Sequence, residues 1–168
     1  VNLNKFQITV QNIDMTGDKT KTDAHLHNHP YVVAITLMGS PIFFQETHYY
    51  TKEARAKIKP LLATYKKHRA EMYQGYVFPM GDEPDNSQWT GFQNHHLEKN
   101  TGYLLIFREL NNHEVSKEVA LKHVRAAEIR LTDLMTNEKR VVRMNGSNVV
   151  FDIDEPADYR FFRYEVLD

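Results

Sequence analysis

Apolar and polar positions follow two different periods in this chain, and the period changes near residue 75. In the first part, "FQITV" alternates as a strand does, and "IDMTGDKTKTDAHLHNH" after it reads as a long polar loop. "PYVVAITLMG" is an apolar run whose boundaries favour a helix. Asn28 or His29 stands before Pro30 at a good first-turn position, and Gly39 suits the residue just past a helix end. "SPIFFQ" reads as a short buried strand. "TKEARAKIKPLLATYKKHRAEMYQG" predicts a helix capped by Thr51 and stopped at Gly75. Its apolar stripe is Ala54, Ile58, Leu61, Leu62, Tyr65, Met72 and Tyr73, and Pro60 should kink it or start a second helix. Strand, helix, strand, helix in succession is the arithmetic of an α/β unit.

Beyond residue 75 the period shortens to two. "TGYLLIFREL", "KEVALKHV", "EIRLTDL", "KRVVRM", "NVVFDI" and "YRFFRYEVL" are short runs at regular spacing, the pattern of an antiparallel sandwich or barrel. Asn145–Gly146 is the best hairpin turn, and Val149, Phe151 and Ile153 share one face of their strand. "FPMGDEPDNSQWTGFQNHHLEKN", rich in Gly, Pro, Asn and Asp, reads as connecting structure, with adjacent His95 and His96 at the surface. The expected fold is α+β. Residues 1–75 hold β/α units, 76–100 connect, and 101–168 form an antiparallel β-sandwich.

Composition narrows the function by exclusion. A net charge of −1 gives no electrostatic case for nucleic acid or an anionic membrane as partner. No apolar run is long enough to span a bilayer, and with no cysteine there is neither a disulfide nor a thiolate metal site. Opening on "VNLNKFQITV", close to a strand, the chain reads as a segment of something longer, and nothing in it fixes a compartment.

The order of these elements resembles a known family. "PYVVAITLMGSPIFF", the long helix, "FPMGDEPDNSQWTGFQ", "GYLLIFRE" and "EIRLTDLMTNEKRVV" together resemble the tail of an α-galactosidase-like glycoside hydrolase. There a (β/α)8 barrel of TIM type is followed by a C-terminal antiparallel β-domain. The resemblance implies that "FQITV" and "PIFFQ" are the seventh and eighth barrel strands, and that residues 1–75 are the last β/α units. It also implies that the catalytic aspartate pair, roughly 5 Å apart in a retaining enzyme, lies upstream of Val1. No catalytic residue, cofactor or metal is then expected within this chain, which alone should be inactive. Its partner would be a carbohydrate, reached through the parent enzyme. If that parent degrades polysaccharides, its place is extracytoplasmic.

Loops that follow barrel strands lie on the catalytic face. The resemblance therefore makes Asp14, His25, His27, Gln45, Glu46 and His48 candidates for hydrogen bonds to sugar hydroxyls, against the plain alternative of solvated loop residues. Trp89, with Phe92 and Tyr103, could form an aromatic platform for a sugar ring, or Trp89 could seal an interface between domains.

Two other functions stay open on the residues alone. An autonomous carbohydrate-binding domain would use Trp89. A metal enzyme would use His25, His27 and His29 of "HLHNHP", which share a face if extended, although Pro30 turns His29 away. Asp82, Glu83 and Asp85 lack the spacing of a calcium loop and read as a solvated acidic turn. A two-strand remnant would leave apolar faces bare, which predicts a homodimer through that remnant or a helix laid over the β-domain.

Overall fold

A computed structural model describes residues 2–44 and 47–167. Strand β1 (Gln7–Thr9) pairs in parallel with β2 (Ser40–Ile42), placing Ile8 opposite Pro41. Two short 3-10 turns, Ile13–Met15 and Ala24–Leu26, punctuate the polar loop between them. Helix α1 (His29–Ala34) then starts where the sequence predicts. The Asn28 side chain accepts a hydrogen bond from the Tyr31 amide at 2.9 Å, and Pro30 occupies the first turn. Gly39 lets the chain leave α1 directly over β1, since a Cβ there would stand 2.4 Å from Ile8 Cδ1.

Helix α2 (Lys52–Met72) is capped by Thr51, whose Oγ1 accepts from the Ala54 amide at 3.1 Å. It runs through Pro60 as one helix, so the expected second helix does not form. Pro60 and Ala56, whose carbonyl loses its amide partner, are both exposed, and water can serve that carbonyl. The buried stripe on either side, Ala54, Ile58, Leu61, Tyr65 and Met72, holds the axis continuous.

The remainder is antiparallel. Six strands stand in the order β3 (Tyr76–Gly81), β4 (Trp89–His96), β5 (Thr101–Arg108), β10 (Asp158–Leu167), β7 (Glu128–Asp133), β8 (Lys139–Arg143). A separate pair joins β6 (Ser116–Ala120) to β9 (Asn148–Asp152). Much of the stretch expected to connect two domains is thus ordered sheet. β3 and β4 pair from Tyr76 opposite His95 to Gly81 opposite Thr90, and only the turn between them keeps the Gly/Pro/Asp character that suggested a linker. The Asn145–Gly146 turn forms, with Gly146 at φ +67 and Asn145 and Asn148 exchanging backbone hydrogen bonds at 3.0 Å. The strands it joins part company, β8 to the edge of the large sheet and β9 to β6.

Two cores explain the texture of β5, which is buried at every position from Gly102 to Arg108. Tyr103, Leu105 and Phe107 point to a core shared with α1, α2 and Phe161. Leu104 and Ile106 point to a second core shared with Val119, Val149, Phe151, Ile129 and Leu131. A strand covered on both faces reads as a continuous apolar run because neither parity can be polar. The helices thus lie over one face of the sheet. A polar tie fixes the C-terminal part of α2 there. Tyr103 donates to Glu71 Oε2 at 2.5 Å, and Arg163 stands 3.5 Å from the other carboxylate oxygen. No helix among the described residues is long and apolar enough to cross a membrane.

Candidate functional site

The parallel pair β1–β2 sets the site. Both strands point the same way, so the segments that follow them emerge on one side. After β1, the buried Asn12 accepts the Asp14 amide through Oδ1 at 3.1 Å and closes the 3-10 turn that carries Asp14. The Asp14 carboxylate meets His29 Nε2 at 3.0 Å. His29 is 7% exposed, and its ring lies 5.6 Å from that of Tyr50, the residue before the cap of α2.

These three groups face one another, and two of them keep unused hydrogen-bonding capacity. Among the described residues, neither His29 Nδ1 nor the Tyr50 hydroxyl, both buried, has a hydrogen-bond partner. A buried polar atom left unpaired costs about 1–3 kcal/mol, so such atoms are expected to meet a ligand or water. Burial first, and then the charge of Asp14, push the Tyr50 hydroxyl above its ordinary pKa, so it is a neutral donor and acceptor at any physiological pH. A half-exposed carboxylate, an imidazole and a phenol together can both accept and donate. That set suits a polyhydroxylated ligand.

Beside Tyr50 lies an open, mainly apolar hollow of about 670 Å³ between Phe43, Thr47 and His48 on one side and α2 on the other. Phe43, Ile58 and Leu62 line it, with Arg55, Lys59 and Lys66 at its margin. Phe44, next along the chain, is 80% exposed.

The sequence-derived candidates divide among several places. Asp14 stands at the convergence. His27 does not face it; its ring stacks on Tyr31 at 4.6 Å and its Nε2 stands 3.7 Å from Asp23. His25 lines a shallow depression with Lys19, Thr22 and Leu26. His48 borders the apolar hollow, its ring tilted against Tyr49 at 4.1 Å and its carbonyl accepting from Arg55. Gln45 and Glu46 lie outside the described residues.

Of the two roles expected for Trp89, the open platform is not what its position allows. It is 1% exposed in the second core, and its indole donates to Asn112 Oδ1 at 3.1 Å and the Glu114 carbonyl at 3.0 Å. No ring face is open to a sugar, because the second core, with side chains from β6 and β9, covers that face of β4. His95 is a second correction, 1% exposed where a surface position was expected. Among the described residues, no three His, Asp or Glu side chains stand together as a metal would need.

His29 and Tyr50 were missed, each for a local reason. Pro30 predicts that His29 turns away from its neighbours; it does, and the turn aims the ring at Asp14. Tyr50 precedes an N-cap, the position from which an apolar side chain often folds back on its helix. That signal was available.

No family model and no curated protein matches the chain. Among the solved structures that match it in shape are two α-amylases. Over 98% of its length it follows 39% of an α-amylase from Anoxybacillus, described as a new glycosyl hydrolase subclass, with a TM-score of 0.55 and 13% identity. Over 96% it follows 41% of AmyB, a noncanonic maltogenic α-amylase from Thermotoga neapolitana, with a TM-score of 0.59 and 12% identity. What the chain shares with these two glycoside hydrolases is a fold, over about two fifths of their length.

Proposed function

We propose that this chain is the C-terminal part of a glycoside hydrolase, supplying the last β/α units of a barrel and the β-domain that follows. The observation that carries this reading is the convergence of Asp14, His29 and Tyr50 beyond the C-terminal ends of two parallel strands, the face on which barrel enzymes act. In this reading the catalytic carboxylates belong to strands upstream of Val1. The three residues here hydrogen-bond hydroxyls of the bound sugar. The apolar hollow beside Tyr50 seats a neighbouring wall of the barrel, which would cover Phe43 and Leu62.

The choice of sugar is a finer matter. The sequence resemblance favours an α-galactosidase-like parent, whereas the structural likeness is to α-amylases. Both make the parent a glycoside hydrolase, so the substrate panel must hold an aryl α-galactoside and a maltooligosaccharide.

The test uses the full product of the coding region, with Asp14→Asn and Tyr50→Phe. A hydrogen bond from a sugar hydroxyl to a charged group contributes about 1.5–3 kcal/mol, so Asp14→Asn should lower kcat/KM by about 10- to 100-fold. Tyr50→Phe should lower it by up to about tenfold. Unchanged kinetics in both variants would remove these residues from the site. Failure of the full product to hydrolyse any glycoside on the panel would remove the reading itself.

An autonomous carbohydrate-binding domain loses its carrying residue with the burial of Trp89. A zinc centre on "HLHNHP" loses its geometry, since His27 and His29 go to different partners.

A further inference from the structure

His95 lies deep in the sheet, in a row that runs Tyr76, His95, Gly102, Tyr164 across β3, β4, β5 and β10. Strands one apart from neighbours stand about 9–10 Å apart, so Tyr164 can reach His95 only by laying its ring across β5. Gly102 permits this. A Cβ there would come within 2.7 Å of Tyr164 Cε1 and 2.8 Å of Cζ. The Tyr164 oxygen stands 2.5 Å from His95 Nδ1.

The surrounding bonds determine where the hydrogens are. Gln93 Oε1 accepts from the Lys122 amide at 2.6 Å, which fixes the orientation of the Gln93 side chain. Its Nε2 therefore donates, to the Lys122 carbonyl at 3.0 Å and to the Tyr164 oxygen at 2.9 Å. Tyr164 has one hydrogen to give, and it goes to His95 Nδ1. His95 is thus an acceptor, neutral, with its own hydrogen on Nε2. A proton arriving on Nδ1 sets donor against donor and leaves the tyrosine hydrogen without an acceptor in a buried place.

Among the described residues, the elements packed on His95 offer nothing to offset a positive charge. β5 presents Gly102, β3 presents Tyr76 and β10 presents Tyr164. His96 is its neighbour on β4. From the segment between β6 and β7, His123 lies over it, rings 6.4 Å apart and 14° from parallel, with Phe78 against the other imidazole at 4.9 Å. Burial, then the charges of His123 and His96, hold His95 below the ordinary histidine value of 6.5. The same segment is gripped by Gln93 at both backbone groups of Lys122, beside a His123 held at φ +57, a left-handed conformation that a non-glycine residue adopts at a cost.

We propose that His95, Tyr164 and Gln93 form a proton-operated latch on the segment between β6 and β7. It is closed while His95 is neutral and open once His95 is protonated. Because the folded-state value lies below the unfolded one, the open form takes up the proton more readily. The latch is at full strength above about pH 6.5 and weakens as the pH falls from there through the folded-state value.

Hydrogen exchange of the Lys122 amide in the intact chain tests this, corrected for the intrinsic pH dependence of exchange. Between about pH 7.5 and about pH 5 its rate should rise several-fold. In His95→Gln, whose side-chain oxygen can accept the Tyr164 hydrogen without titrating, it should stay flat. A flat wild-type response, or an equal rise in His95→Gln, overturns the latch. So does a response that survives in His95→Gln and vanishes in His123→Gln. Independently of any variant, imidazole nitrogen shifts of the wild-type chain at about pH 7.5 should report the Nε2–H tautomer, and the Nδ1–H tautomer would contradict the network.

Discussion

Asp14, Trp89 and His95 mark how far single residues can be read without a structure. Asp14 was legible because it follows a strand at a predictable place, and strand ends can be found from alternation alone. Trp89 and His95 were not, because a residue's exposure depends on which strands flank its own. β4 carries Thr90, Gly91, Gln93 and Asn94 beside its aromatics, a composition that reads as loop. It becomes an inner strand because β3 and β5 cover its edges, while Gln93 finds a partner across the sheet in Tyr164 and Asn94 donates to the Met72 carbonyl at the end of α2. The burial of Trp89 has a direct consequence. Trp89→Ala should cost about 3–5 kcal/mol in urea or thermal unfolding, the usual penalty for emptying a large aromatic site. It should leave glycan binding by the folded fraction unchanged. Lost binding at little cost in stability would restore Trp89 to a ligand platform.

At the scale of elements, the helices were read more faithfully than the strands. The start of α1 and the course of α2 follow from Asn28, Pro30, Thr51 and the stripe from Ala54 to Met72, all local signals, whereas α1 stops at Ala34, short of the end that Gly39 suggests. Sheet partners are set by contacts between distant residues. The Asn145–Gly146 turn could therefore be read, while the division of β8 and β9 between two sheets could not. Pro60 is the one local signal that tertiary packing overrode. Its removal gives back the amide that Ala56 lacks, without disturbing the buried face. Pro60→Ala should therefore raise unfolding free energy by about 1–3 kcal/mol, with the unchanged helix content checked by circular dichroism. A destabilised variant would mean that Pro60 itself helps to seat the stripe on the sheet.

For the whole molecule, α2 has two sides with different roles. One carries the first core and joins α1 to β5 and β10, so the helices and the sheet fold as a unit. The other, with Leu62 and the neighbouring Phe43, faces a hollow that none of the described residues fills. β1 and β2 together make a parallel sheet of two strands, and such sheets are ordinarily buried within larger ones. Both features fit a chain that continues a barrel begun elsewhere, and the two amylase likenesses, each over about two fifths of a longer enzyme, fit it as well. The sequence allowed the class of this arrangement to be seen through element order. It withheld the site, because His29 and Tyr50 meet Asp14 only once three separate segments are folded together.

The measurement that bears most directly on this reading is a parallel assay of glycoside hydrolysis by this chain and by the full product of its coding region, on aryl α-galactosides and maltooligosaccharides. The expected result is turnover by the full product and none by the chain alone, since the catalytic carboxylates would lie upstream of Val1. Turnover by the chain alone, abolished by Asp14→Asn, would contradict it, because the catalytic machinery would then lie within these residues.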